Sequence, residues 1–347
     1  MGASSKGKSG SEMSAIRTML ILLVILQRLQ GFTSSKFNTN LCLHQPMSRH
    51  LRIKSPLSQL GVLVGFFCLM FILAGIVSLI IYAIGGIKTT DFNNTHFVNV
   101  AKGIQAISSI LLFIVPPIFF ARFTFSGNYA YFLGFRNAEK ANMYILAILG
   151  MLMAMPFVIW LGQINELIPL PEFLTKMEEE TSKQLTAILK VRSVWDIVVN
   201  VFIIALLPAI GEELFFRGAL QRVVIQLARN PWVGIVLTAV LFSALHLQFS
   251  GFLPRMFLGI ALGAFYWFSG SIYTSMVAHF VNNAVQVIAA SYAPEYIDKN
   301  PQTPVLAAVA SGIVVWAILW YFQKQSTITF SKVYETDGLT ATNQFIA

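Results

Sequence analysis

The stretch whose reading decides the fold is "LLPAIGEELFFRGALQR", Leu206 to Arg222. An apolar run that has continued from Ile197 to Ile210 meets two adjacent glutamates, Glu212 and Glu213, with Arg217 four residues after the second. Two readings are open. Either a membrane helix surfaces here and its charges meet the headgroups, or ionisable side chains are placed inside the membrane, where they are expensive and functional by default.

The rest of the chain favours a membrane setting. Of its 347 residues, 56% are hydrophobic and 11% charged, with a mean hydropathy of +0.69; soluble domains carry about 25% charged residues. Apolar runs near the length of about 20 residues that a span requires lie near 58–83, 103–121, 142–163, 194–211, 231–249, 252–269, 272–291 and 304–322. The expected fold is all-α, a polytopic membrane helix bundle of about eight transmembrane helices. The runs lack the period-2 alternation of a membrane barrel. Little more than Ser250 and Gly251 separates the fifth run from the sixth, which fits a tight helical hairpin.

The net charge of +9 is distributed as topology rather than as a nucleic-acid surface, so no nucleic-acid partner is expected. Lys36, Arg49, Arg52 and Lys54 precede the first run, Arg122, Arg136 and Lys140 follow the second, and Arg217, Arg222 and Arg229 follow the fourth. With eight spans these fall on one side, which the positive-inside rule makes cytoplasmic together with both termini. The 164–193 loop, with Glu166, Glu172, Glu178, Glu179 and Glu180, is placed outside. Within it, "PEFLTKMEEETSKQLTAILKV" reads as an amphipathic helix at the surface.

Four segments are expected. Residues 1–56 form a basic cytoplasmic N-terminal segment, in which the apolar run Met19 to Leu26 is too short to span and Met47 is a candidate for the true start. Residues 57–190 hold accessory transmembrane helices and the surface helix, 191–295 the core that carries chemistry, and 296–347 the last helix and tail. The two cysteines, Cys42 and Cys68, form neither a CxxC motif nor a disulfide framework.

Ionisable groups inside apolar runs are few. His44, His50 and His96 lie in the tail or a loop, whereas His246 and His279 fall within runs. Glu213 and Arg217 stand at i, i+4 with the carboxylate first, the favoured order for a helical ion pair. Glu212 is turned about 100° away, and Pro208 just before it is expected to kink the helix. In "FSALH", Phe242 and His246 share a face with Ser243 and Ser250 beside them. His279, Asn282, Asn283 and Gln286 stack along another face. Each set alone could be interhelical glue.

Together they hold a carboxylate, two imidazoles and an amide, which are the parts for hydrolysing an amide bond. The carboxylate takes a proton from water, a histidine shares or orients it, and imidazole and carboxamide N–H groups hold the oxyanion. HExxH, GxSxG and Walker A motifs are all missing. No serine or cysteine nucleophile is expected, while a metal held by Glu212, His246 and His279 stays open.

These residues resemble the CAAX protease and bacteriocin-processing endopeptidases, the CPBP or Abi family. Its motifs EExxxR, FxxxH and HxxxN are matched by "EELFFR" (Glu212–Arg217), "FSALH" (Phe242–His246) and "HFVNN" (His279–Asn283), in order and on separate runs. The likeness covers roughly 190–295. It implies an intramembrane endopeptidase in which Glu212 activates water with His246, and His279 and Asn283 stabilise the oxyanion. Glu213 and Arg217 would be supporting residues. It leaves open whether no cofactor is required or a divalent metal such as zinc. The implied partners are a lipid bilayer and a peptide or membrane-protein substrate, prenylated CAAX-type or bacteriocin-like, and the implied location is a bacterial inner (cell) membrane. Two alternatives are a non-catalytic binding or bacteriocin-immunity protein on the same fold, and a proton-relaying transporter. The transporter would show inverted repeats, and the two halves show none.

Overall fold

Helix boundaries follow local chemistry. Ser55 caps the first long helix, its hydroxyl accepting from the Ser58 N–H at 3.4 Å, and Pro56 occupies the first turn, where no N–H is needed. This helix, α1, runs Pro56–Ile84. Asn94 caps α2, Thr95–Thr124, through the His96 N–H at 2.9 Å. Inside α2 a π-helical stretch, Ile110–Ile114, ends one residue before Pro116 and Pro117, the kind of widened turn that accommodates residues with no N–H to donate. The computed structural model describes residues 52–53, 55–86, 92–125, 128–191, 193–292 and 302–334, all within one unit spanning 46–347. The expectations for the N-terminal apolar run, Met47 and Cys42 lie outside the described residues.

The third expected span is two helices, α3 Asn142–Met153 and α4 Met155–Glu166, bent by 41° at their junction. Pro156 in the first turn of α4 explains the bend, because it cannot continue the hydrogen-bond ladder of α3. The predicted amphipathic helix is α5, Glu172–Leu189. Its outer face carries the exposed ion pairs Lys176–Glu172 at 2.7 Å and Lys183–Glu180 at 3.3 Å, while Ile188 and Leu189 are buried.

The decisive stretch belongs to α6, Val194–Ala228, a single helix of 35 residues. A capping box starts it: the Ser193 N–H donates to Asp196 Oδ2 at 2.8 Å. At 1.5 Å per residue it is about 52 Å long, against about 30 Å of hydrocarbon. The expectation that this span ends near 211 is therefore corrected. The helix carries Glu212 and Glu213 through its middle and ends only at Arg229, whose φ of 53° is left-handed. Pro208 does not break it either. The turn before the proline, Val201–Leu206, is π-helical, and the helix continues as one span.

Asn230 then caps α7, Pro231–Ala244, accepting from the Trp232 and Val233 N–H groups at 2.9 and 3.2 Å. α8 is Phe252–Ser269, α9 Ile272–Tyr292 and α10 Val305–Gln325. The α7–α8 hairpin forms as expected, with a correction at its tip. The fifth run was expected to be helical to 249, but α7 stops at Ala244, and 245–251 is a turn in which Leu247 takes a left-handed φ of 54°. His246 sits in that turn and not in the helix.

Each expected apolar run contains a helix, and no strand element occurs among the described residues. Five helices are long and apolar enough to cross a membrane, or six if the bent α3–α4 pair counts as one span. The chain is an all-α polytopic membrane bundle. Its outer surface exposes Phe71, Leu79, Leu306 and Trp316, which lipid rather than water would cover. The core gathers Phe216, Phe242, Phe265, Tyr266 and Trp267 from α6, α7 and α8.

Candidate active site

The middle of α6 is where the bundle is most closed. Every residue from Glu213 to Ile225 is buried, so Glu213 enters with no water to solvate its charge. Two neighbours compensate. Glu213 Oε1 lies 2.9 Å from Arg217 Nη1 and 2.8 Å from His279 Nδ1. Ser275, one turn before His279 on α9, is buried beside this pair, its hydroxyl donating to the Ile272 carbonyl at 3.1 Å. The local i, i+4 pair and the tertiary contact from α9 thus share one carboxylate, as a buried charge requires.

Arg217 is anchored on its far side as well. Its Nη2 donates to the Gly259 carbonyl of α8 at 3.0 Å, and one turn on Gln221 Nε2 donates to the Gly263 carbonyl at 3.0 Å. The first contact needs a glycine. A Cβ on Gly259 would stand 3.0 Å from the Ala239 Cβ and 3.3 Å from the Phe242 ring, so its absence lets α8 approach α7 and offer that carbonyl. The Arg217 guanidinium also lies over the Phe242 ring, 4.8 Å from its centroid, a favourable cation–π placement.

Phe242 connects the three motifs. Its ring meets Phe216, His246 and His279 edge-on, with centroids 5.0, 4.9 and 6.0 Å away. Its carbonyl accepts from His246 Nδ1 at 2.8 Å. A carbonyl only accepts, so Nδ1 carries the proton and the Nε2 lone pair of a neutral His246 is left available. The same logic puts a proton on His279 Nδ1, facing Glu213.

Glu212 is differently placed. Its side chain keeps 13% of its exposure while that of Glu213 keeps none. Its Oε2 is 3.9 Å from His279 Nε2, too far for a direct hydrogen bond and wide enough for a bridging group. His246 and Arg255 lie within its electrostatic reach. Two adjacent carboxylates therefore have separate surroundings, one sealed in an ion-pair web and one at the edge of it.

Six of the predicted site residues come together: Glu212, Glu213, Arg217, Phe242, His246 and His279. Asn283 lies one turn beyond His279, half-buried, its Oδ1 accepting from Asn282 at 3.2 Å. No described contact joins it to the glutamates. Gln286, predicted on the same stripe, is exposed and does not join it. The sequence reading missed Ser275 and Gly259. Ser275 could have been found, because it extends the His279 stripe backwards by one turn; Gly259 carries no chemical signal of its own. The three donors considered for a metal, Glu212, His246 and His279, do not converge as a ligand set, nor does any other group of three His, Cys, Asp or Glu among the described residues.

Comparison with known proteins agrees with the motifs. Residues 194–285 match the family described as type II CAAX prenyl endopeptidase Rce1-like. The matched stretch begins with α6 and ends within α9. The matched segment includes Glu212, Glu213, Arg217, Phe242, His246, His279 and Asn283 and leaves α1 to α5 and α10 outside. A Bacillus subtilis (strain 168) protein, the uncharacterized YpbD, is 29% identical over 90 residues, which is 25% of this chain and 43% of that protein. The aligned part thus spans less than half of that relative's length. No solved structure matches.

Proposed function

We propose that this chain is an intramembrane endopeptidase that hydrolyses peptide bonds of membrane-associated substrates, and that Glu212 is its general base. The observation that carries the reading is the difference between the two glutamates: Glu213 is sealed between Arg217 and His279, and Glu212 is left beside His279 Nε2 with its side chain partly open. A base must reach a water molecule, and of the two carboxylates Glu212 is the one left partly open.

In the proposed reaction Glu212 takes a proton from water as its oxygen bonds to the scissile carbonyl carbon. His246, with Nε2 available, orients that water or shares its proton. The carbonyl oxygen becomes an oxyanion. His279, when it carries both protons, offers Nε2–H to this oxygen while Nδ1–H stays on Glu213, and the Asn283 amide is the second donor. The intermediate collapses with cleavage of the C–N bond, and the proton held by Glu212 passes to the leaving amine. Glu213 and Arg217 hold His279 and Phe242 in register. The Rce1-like match supports a CAAX-type, prenylated substrate; a bacterial inner membrane and cytoplasmic termini complete the proposal, the termini on the charge distribution alone.

The test is cleavage of a fluorogenic, lipid-modified CAAX-type peptide and of unmodified membrane peptides by purified protein in detergent, beside Glu212→Gln and with and without a strong chelator. Loss of about 10²–10⁴-fold in kcat is expected for the variant, the usual contribution of a positioned base. Cleavage by Glu212→Gln at the wild-type rate would overturn the assignment. Equal rates with and without chelator are expected for the side-chain mechanism, and loss of activity with chelator would call for a metal. Full biological effect without cleavage would favour a binding or immunity protein.

A further inference from the structure

His246 stands in a turn whose shape is imposed from outside. The turn 245–251 follows the last residue of α7, and Leu247 within it holds a left-handed backbone, φ 54°. A branched L-residue keeps that conformation only where neighbouring contacts over-determine it. Three elements supply such contacts. From the end of α4, buried Asn165 donates to the Phe249 carbonyl at 2.7 Å and accepts from the Leu253 N–H at 2.8 Å. From α8, Arg255 donates to the backbone carbonyl and, at 3.3 Å, to the side-chain oxygen of Gln248. From α5, Glu178 Oε1 accepts from the backbone N–H groups of Phe249 and, at 3.1 Å, Ser250.

The third contact is unlike the others. Asn165 and Arg255 belong to helices packed along the turn, but Glu178 reaches in from the amphipathic helix, more than seventy residues away in sequence. The other acids that pair on α5, Glu172 and Glu180, bond lysines of their own helix in the open. Glu178 instead caps two N–H groups that α7 and the turn leave without intrahelical acceptors.

We propose that Glu178 is a positioning residue for His246: by capping the Phe249 and Ser250 N–H groups it fixes the 245–251 turn, and α5 thereby sets the imidazole against Glu212. The inference rests on the protease reading of the site. Its structural half, the clasp, stands on its own geometry.

Both halves are tested on the purified full-length chain in detergent. Hydrogen exchange of the peptide covering 245–251 is compared in wild type, Glu178→Ala, Glu178→Gln and Glu180→Gln. Exchange at Phe249 and Ser250 rises about tenfold or more in Glu178→Ala, the order expected for losing hydrogen bonds to a charged acceptor. It rises less in Glu178→Gln, which keeps an accepting oxygen, and is unchanged in Glu180→Gln. In cleavage, Glu178→Ala lowers kcat about tenfold with KM unchanged, Glu178→Gln recovers part of the loss, and Glu178→Ala adds nothing in a His246→Ala background, because the two act through one group. Unchanged exchange in Glu178→Ala overturns the clasp. Raised exchange with unchanged kcat, or an undiminished cost in the His246→Ala background, overturns the positioning role. A wild type that cleaves nothing while Glu178→Ala raises exchange sinks the protease reading and leaves the clasp standing.

Discussion

Glu212 and Glu213 are chemically identical neighbours, and their positions on one helix give them opposite predictions. Glu213 is fully buried against Arg217 and His279. Removing one partner of such a web strands the other in a medium that cannot solvate it. Glu213→Gln is therefore expected to lose about 3–5 kcal/mol of stability, read as an earlier unfolding transition in detergent, while Glu212→Gln stays within about 1 kcal/mol of wild type. Adding Arg217→Met to Glu213→Gln should recover part of the loss, since it removes the stranded cation. If Glu213→Gln unfolds where wild type does, the sealed web carries no structural weight. The Glu213–Arg217 pair was legible in the sequence because i, i+4 geometry is local. The Glu213–His279 bond was not: it depends on the register of α6 against α9, across 66 residues, which no spacing rule encodes.

At the level of elements, hydropathy located the long apolar helices and misjudged two ends beside the site. It closed the fourth span near 211 because charge counts against a span whether or not it is paired, so a helix that satisfies its own glutamate and arginine internally looks as if it surfaces there. It extended α7 to 249 because "LHLQF" is apolar enough, although the backbone turns at Leu245. The α6–α7 corner allows a direct test of how closely these elements fit. A Cβ on Gly234 would fall 2.7 Å from the Cα and 2.8 Å from the backbone nitrogen of Ile225, and backbone cannot rotate away as a side chain can. Gly234→Ala should cost about 1–3 kcal/mol despite its better helix propensity. A variant as stable as wild type in a thermal melt would show that α7 has room to shift.

Across the whole molecule, side-chain contacts sort the loops onto two ends. At one end the 165–178 segment meets the 245–253 turn through Asn165 and Glu178. At the other, Asn142 bonds Gln325 at 3.1 Å, Glu139 accepts from Thr327, and the Gly134 carbonyl accepts from the Ile272 N–H. The second end collects Arg136, Lys140, Arg222, Arg229, Lys324 and Lys332. Burial holds the Arg136 guanidinium down at about 10, which still leaves it charged at neutral pH and part of that cluster. The positive-inside rule then predicts that this end is cytoplasmic and that α5 faces the other side. In a background lacking Cys42 and Cys68, single cysteines Lys176→Cys and Ser250→Cys should react with an impermeant maleimide in sealed right-side-out vesicles, whereas Arg229→Cys and Lys324→Cys should react only after the membrane is opened. Reversal of both pairs would invert the orientation and keep the fold. Labelling that separated Lys176→Cys from Ser250→Cys would contradict the contact between α5 and the His246 turn, because residues joined by a hydrogen-bonded clasp cannot lie on opposite faces of a membrane.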